Sequence, residues 1–132
     1  MRATDLRVEL QAEVDGQREA LFPLVSTAAG LAHWIDAATL DTRVGGGFRF
    51  RLLDGVAIGT VTALDPVQHI GYGWDWEGEP LGVATTLAFD LIAHGSRTHL
   101  TLRHVGFRQA AQAELHDALW RYWFGRLVRA AR

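Results

Sequence analysis

Hydrophobic and polar residues alternate strictly from Leu6 to Val14, with Leu6, Val8, Leu10, Ala12 and Val14 in one phase and Arg7, Glu9, Gln11 and Glu13 in the other. That period of two predicts a half-buried strand. Asp15-Gly16 breaks the alternation, and Asp15 is placed to cap a helix through Gln17, Ala20, Leu21 and Leu24 that Pro23 keeps short or bent. A second short helical segment runs from Ala28 to Trp34. Strand signals then recur between turn residues: Thr39 to Arg43, Phe48 to Leu53, Val56 to Leu64, His69 to Trp76, Thr85 to Ala93 and Arg97 to His104. Gly45-Gly46-Gly47 predicts a flexible corner, and Asp54-Gly55 a two-residue hairpin. In the strand from Val56, Val61 and Ala63 are expected inward and Thr60 and Thr62 outward.

The last segment, Ala110 to Ala131, has the period of a long amphipathic helix. Glu114, Asp117, Arg121, Arg129 and Arg132 form its polar stripe; Leu115, His116, Leu119, Tyr122, Trp123 and Leu127 lie opposite, with Trp120 at the border. Phe124 and Val128 fall beside the polar stripe, where they could mark a homodimer contact. One strand, two short helices, six strands and one long helix predict an α+β domain. In it a seven-stranded curved antiparallel sheet wraps the C-terminal helix.

Phase also locates the rings. Phe48 and Phe50 share one face of their strand, as do Tyr72, Trp74 and Trp76, and Phe89 falls in phase with Leu87 and Leu91. Most of the five Trp, six Phe and two Tyr therefore point at one concave surface.

At 132 residues the chain suits one domain, residues 1–132. It has no cysteine, which removes disulfides, thiolate metal sites and thiol nucleophiles. Thirteen basic and fifteen acidic residues, spread along the chain, leave a net charge of −2 and no basic footprint for nucleic acid or membrane. No long apolar run suggests a signal peptide or a membrane span, so a soluble cytoplasmic protein is expected.

Several stretches resemble, in order and spacing, the START-like (SRPBCC) superfamily with its helix-grip, Bet v 1-like fold, and in particular the heat-shock-protein ATPase activator-like branch. They are Arg18-Glu19-Ala20-Leu21-Phe22, Gly30-Leu31-Ala32-His33-Trp34, Gly45-Gly46-Gly47-Phe48-Arg49-Phe50, Gly59-Thr60-Val61, Asp65-Pro66 with Ile70-Gly71-Tyr72-Gly73-Trp74, Thr98 to Phe107, and Leu119-Trp120 through Leu127. The resemblance implies a cavity between sheet and long helix for lipids, hormones, polyketides or other apolar molecules. Leu119 stands where the branch commonly has glycine, and its bulk would narrow that cavity.

The expected cavity lining is Trp34, Phe48, Phe50, Tyr72, Trp74, Trp76, Phe89, Leu102, His104, His116, Leu119, Trp120 and Trp123. The alternative is that these rings fill the core. His104 shares the phase of Leu100 and Leu102, and His116 lies in the apolar stripe of the last helix; with Tyr72 they could supply polar contacts or acid–base chemistry, or be core histidines satisfied locally. The six histidines lack metal-ligand spacing, so no metal or other cofactor is expected. Gly45-Gly46-Gly47 is followed by a strand rather than a helix, which argues against a phosphate loop. Asp75, Glu77 and Glu79 read as a solvated acidic loop, and no nucleophile elbow is present. Binding of an apolar or aromatic small molecule is the leading expectation. A cyclase- or hydrolase-like enzyme and a co-chaperone-like interaction domain are the alternatives.

Overall fold

In a computed structural model, residues 6–53 and 55–132 are described. Strands β1 (Val8–Asp15), β2 (Ala37–Leu40), β3 (Gly47–Leu52), β4 (Gly55–Asp65), β5 (His69–Trp76), β6 (Thr85–His94) and β7 (Arg97–Val105) form one antiparallel sheet in the order β1-β7-β6-β5-β4-β3-β2. Strands β2 to β7 follow one another as neighbours, and β1 closes the far edge against β7. Helices α1 (Arg18–Leu21), α2 (Pro23–Ser26) and α3 (Ala28–Leu31) carry the chain from one sheet edge to the other, and α4 (Ala110–Ala130) ends it. This is the helix-grip α+β fold that the strand phases and the resemblance predict.

Inward residues line up across the sheet. Val8, His104, Leu87, Tyr72 and Val61 form one cross-strand row, and Leu10, Leu102, Phe89, Ile70 and Leu64 the next. All but Leu64 are buried, so the concave face is a continuous apolar floor for α4. In a third row Thr85, Trp74, Gly59 and Phe48 are successive partners. Gly59 sits between two large rings: a Cβ there would lie 1.7 Å from the Gly73 carbonyl oxygen and 2.9 Å from Phe48 Cε2.

Several local expectations change. The helix foreseen after β1 is two single turns, because Pro23 occupies the first turn of α2 and removes an amide donor. Asp15 does not cap it; Gln17 holds the N-cap position without a side-chain bond, while Asp15 ends β1 and pairs with Arg97 at 3.1 Å. The third short helix stops at Leu31, capped by Thr27, whose Oγ1 accepts the Gly30 amide at 2.9 Å. β2 ends at Leu40, since Asp41 to Gly46 form a hydrogen-bonded corner too tight for a side chain at Gly46. Gly55 opens β4 opposite Leu52, and Asp54 of the expected Asp54-Gly55 turn lies outside the described residues.

A register shift between Val61 and Ala63 marks a bulge in β4. Ala63 therefore joins Thr62 over Gly71 on the outer face instead of turning inward, and Leu64 takes the inward phase opposite Ile70. Thr101 keeps the outward phase yet is buried among its neighbours.

The largest correction concerns α4. Leu115 and Tyr122, expected to face the core, are 65% and 52% exposed, whereas Phe124, expected outside, is 7% exposed. The helix is rolled so that Ala113, His116, Trp120, Trp123, Phe124 and Leu127 meet the sheet. A concave sheet covers about half a helix's circumference, and burying the larger rings outweighs burying Leu115 and a tyrosine whose hydroxyl is content in water. The expected dimer contact through Phe124 thus falls within the core, with Val128 partly buried beside it.

Replacing Gly59 by alanine should destabilise the fold by about 3 kcal/mol, because the new methyl must displace strand backbone and the Phe48 ring together. Urea unfolding of the variant beside the parent measures this; an unchanged midpoint contradicts the close approach described.

Candidate functional site

Polar groups converge inside the fold where β5, β6, β7 and the first half of α4 meet. His116 and Trp120 lie one helical turn apart and so project from the same side of α4. Trp120 Nε1 donates to His104 Nδ1 at 2.9 Å. His104 Nε2 contacts Thr85 Oγ1 at 2.9 Å, and that hydroxyl donates to the Trp74 carbonyl at 2.9 Å. A parallel chain runs beside it: Trp76 Nε1 donates to His116 Nε2 at 2.9 Å, and His116 Nδ1 contacts the Gln112 carbonyl at 2.7 Å.

Those geometries fix the tautomers. Indole N–H is a donor only, so the nitrogen that receives it carries a lone pair and the other nitrogen carries the proton. His104 is therefore the Nε2–H form, donating to Thr85, and His116 the Nδ1–H form, donating to Gln112. The two rings stand 5.2 Å apart at 88°, and Phe107 covers both at 4.6 and 4.7 Å. Burial drives the His104 pKa well below its ordinary value, with the nearby His116 adding to the effect. Burial lowers His116 as well, opposed by its bond to the Gln112 backbone. Both rings are thus neutral acceptors for indoles.

Of the predicted lining residues, Trp74 links two groups. It packs against Trp76, Trp120 and His104 on one side, with centroids 5.6, 5.1 and 5.6 Å away, and against Phe48 and Phe50 at 5.9 and 6.3 Å on the other. Tyr72 joins Phe48 and Phe50 at 5.2 and 5.3 Å but does not join the histidines; its hydroxyl donates to the Val25 carbonyl, and burial raises its pKa far above the phenolic range. Trp34 pairs with Phe89 at 6.1 Å and is anchored by its own indole on the Leu24 carbonyl at 2.7 Å. Leu102 and Phe89 face each other across β7 and β6, and Leu119 is buried at the rim of α4. Trp123 lies under Arg126, whose guanidinium carbon is 5.4 Å from the ring centroid.

The indole nitrogens of Trp74 and Trp123 are buried and have no acceptor among the described residues. A void of about 10 Å³, room for one water, lies elsewhere, beneath Leu21, Val25, Leu91, Leu100 and Leu127. No predicted lining residue touches it.

Sequence reasoning left out Thr85 and Phe107. Thr85 shares the phase of Leu87 and Phe89, so its inward direction was readable, but only the folded register sets it beside His104. Phe107 lies beyond the end of β7, where no periodicity fixes direction.

The other titratable clusters are on the surface. Among the described residues no group of three or more His, Asp or Glu is arranged to hold a metal. His69 pairs with Asp90 at 2.7 Å, and Glu13 bridges His94 and His99. The acidic loop is ordered from within: Asp75 Oδ1 accepts the Trp76 and Leu81 amides at 2.8 and 2.7 Å, and Glu77 pairs with Arg49 at 2.8 Å.

Long-range ¹⁵N spectra near neutral pH should show His104 as the Nε2–H and His116 as the Nδ1–H tautomer; a fast-exchanging tautomer mixture at either ring contradicts the network. The folded protein refuses protons that an unfolded histidine accepts below about pH 6.5, so stability is full above that pH and falls as pH drops through it. The slope is up to about 1.4 kcal/mol per pH unit for each ring. Thr85→Val strands the His104 donor and should lower stability by about 1–3 kcal/mol in urea unfolding at neutral pH.

A Mesorhizobium loti protein superposes with a TM-score of 0.82 at 20% identity over 94% of this chain and 95% of its own. The Aha1 dimer subunit from Colwellia psychrerythraea gives 0.79 at 19% identity, over 95% of both chains. An HSP90 activator from Plasmodium falciparum gives 0.77 at 18% identity, over 92% of this chain and 93% of its own. At such identities the likeness is one of fold. Comparison with curated proteins finds no sequence match. The sequence profile of the family described as "Activator of Hsp90 ATPase homolog 1-like protein" matches residues 15–132, nearly the whole chain, and the chain belongs to that family.

Proposed function

We propose that this chain binds an apolar or aromatic small molecule carrying a hydrogen-bond acceptor, between the sheet and α4, as a cytoplasmic protein. The observation that carries the reading is the pair of buried indole donors, Trp74 Nε1 and Trp123 Nε1, without an acceptor among the described residues. A buried donor left unpaired costs about 1–3 kcal/mol, which an acceptor on a ligand recovers. The surroundings suit a planar guest: Phe48, Phe50, Trp76 and Trp120 flank Trp74 and offer ring faces and edges. Entry requires these packed rings to part. The remaining predicted lining residues, from Trp34 to Leu119, complete the wall of the opened site.

A cyclase- or hydrolase-like reaction through His104 and His116 would need one of their four ring-nitrogen bonds to open, since all four are engaged. A second reading, activation of an Hsp90-type ATPase, is supported by the family description and by the relative from Plasmodium falciparum. Stimulation of a bacterial Hsp90 ATPase by the purified chain tests it directly. The Colwellia psychrerythraea relative is named as a dimer, which supports self-association here.

Planar aromatic ketones and long-chain fatty acids serve as probes in a thermal-shift and tryptophan-fluorescence panel. An acceptor-bearing aromatic should raise the melting temperature and move the emission. Trp74→Phe, which keeps the ring and removes the donor, should lose most of that gain while a matching hydrocarbon probe is unaffected. A flat response across the panel by both readouts overturns the proposal.

A further inference from the structure

Among the described residues, five large apolar side chains are exposed, and Leu115 and Tyr122 stand together on one face of α4. That face points directly away from the sheet. Along it run Ala111, Leu115, Ala118, Tyr122 and Gly125, separated alternately by four and three positions. Such spacing keeps a seam in line with a second helix. Charges flank the seam on one side: Glu114, Asp117 and Arg121, with Arg121 Nε 2.8 Å from Asp117 Oδ2.

We propose that this seam is a two-fold homodimer interface in which α4 packs antiparallel against α4 of a second copy, with Ala118 at the axis. A symmetric contact requires the surface to complement itself. With the axis at Ala118, the two small side chains meet and let the helices approach closely. Leu115 then faces the partner's Tyr122, and Ala111 the partner's Gly125, so large meets large and small meets small along the whole seam. Glu114 meets the partner's Arg121, and the same pair recurs on the other side of the axis. Each Arg121 is already oriented by Asp117, so every interface arginine lies between two carboxylates.

In a parallel pair the two-fold axis would run along the helices and carry the partner's Glu114 and Arg121 to the opposite edge of the seam, so neither would meet an opposite charge. Charge thus selects the antiparallel arrangement. The interface lies on the side of α4 opposite the buried rings, so it stands independently of the small-molecule reading.

Sedimentation velocity over a concentration series, with circular dichroism to check the fold, tests the proposal. The parent chain is expected to dimerise reversibly. Ala118→Glu sets two carboxylates against each other at the axis and should weaken dimerisation by more than about tenfold. Glu114→Arg and Arg121→Glu should each weaken it, and the double variant should restore most of the loss. These positions are solvent-facing, so the folded signal should persist throughout. A parent chain that stays monomeric up to about millimolar concentration overturns the proposal, as does an Ala118→Glu chain that dimerises as well as the parent.

Discussion

An indole N–H carried into an apolar interior needs an acceptor that reaches it without water, and Trp76 and Trp120 find theirs in neutral imidazoles. That requirement ties the sheet to the helix. Trp120 comes from α4 and its acceptor His104 from β7; Trp76 comes from β5 and its acceptor His116 from α4. The two bonds cross between sheet and helix in opposite senses and fix both the rotation and the axial position of α4. Once Trp120 is set against His104, the bulk of Trp123, Phe124 and Leu127 must follow onto the concave face. Leu115 and Tyr122 are left outside by the same rotation.

The histidines do this work only while uncharged. Protonation at either acceptor nitrogen would remove the lone pair and place a cation among rings without a counter-ion. Their outer bonds guard against it. The Thr85 hydroxyl and the Gln112 carbonyl each accept a hydrogen bond from the opposite ring N–H, which selects the tautomer the indoles require. Thr85 in turn donates to the Trp74 carbonyl, joining the network to the strand that carries the largest ring cluster.

Trp74 and Trp123 define the other side of this economy. Their rings are buried about as completely as that of Trp120, yet their donors are unpaired among the described residues. The difference is positional: His104 and His116 have spent both ring nitrogens on other bonds, and the neighbours of Trp74 include Phe48 and Phe50, which accept nothing. Gly59 allows this crowding by letting Phe48 and Trp74 close over a position with no side chain. The interior thus satisfies one pair of indole donors and, among the described residues, leaves the other pair without an acceptor.

Period and punctuation in the sequence determined the seven strands, the long helix and the inward phase of nearly every ring, because side-chain direction in a strand is set by local geometry alone. The inward phase of His104 and the apolar placement of His116 were legible for the same reason. Three things were decided only by the tertiary structure. The bulge at β4 turned Ala63 outward, since a register shift arises between strands and leaves no mark on one strand's alternation. The roll of α4 exchanged Phe124 for Leu115 and Tyr122, since a helix apolar over a wide arc does not say which part a concave sheet will cover. The pairing of each indole with its imidazole came last, because residues distant in sequence become partners only when sheet and helix meet at one fixed rotation.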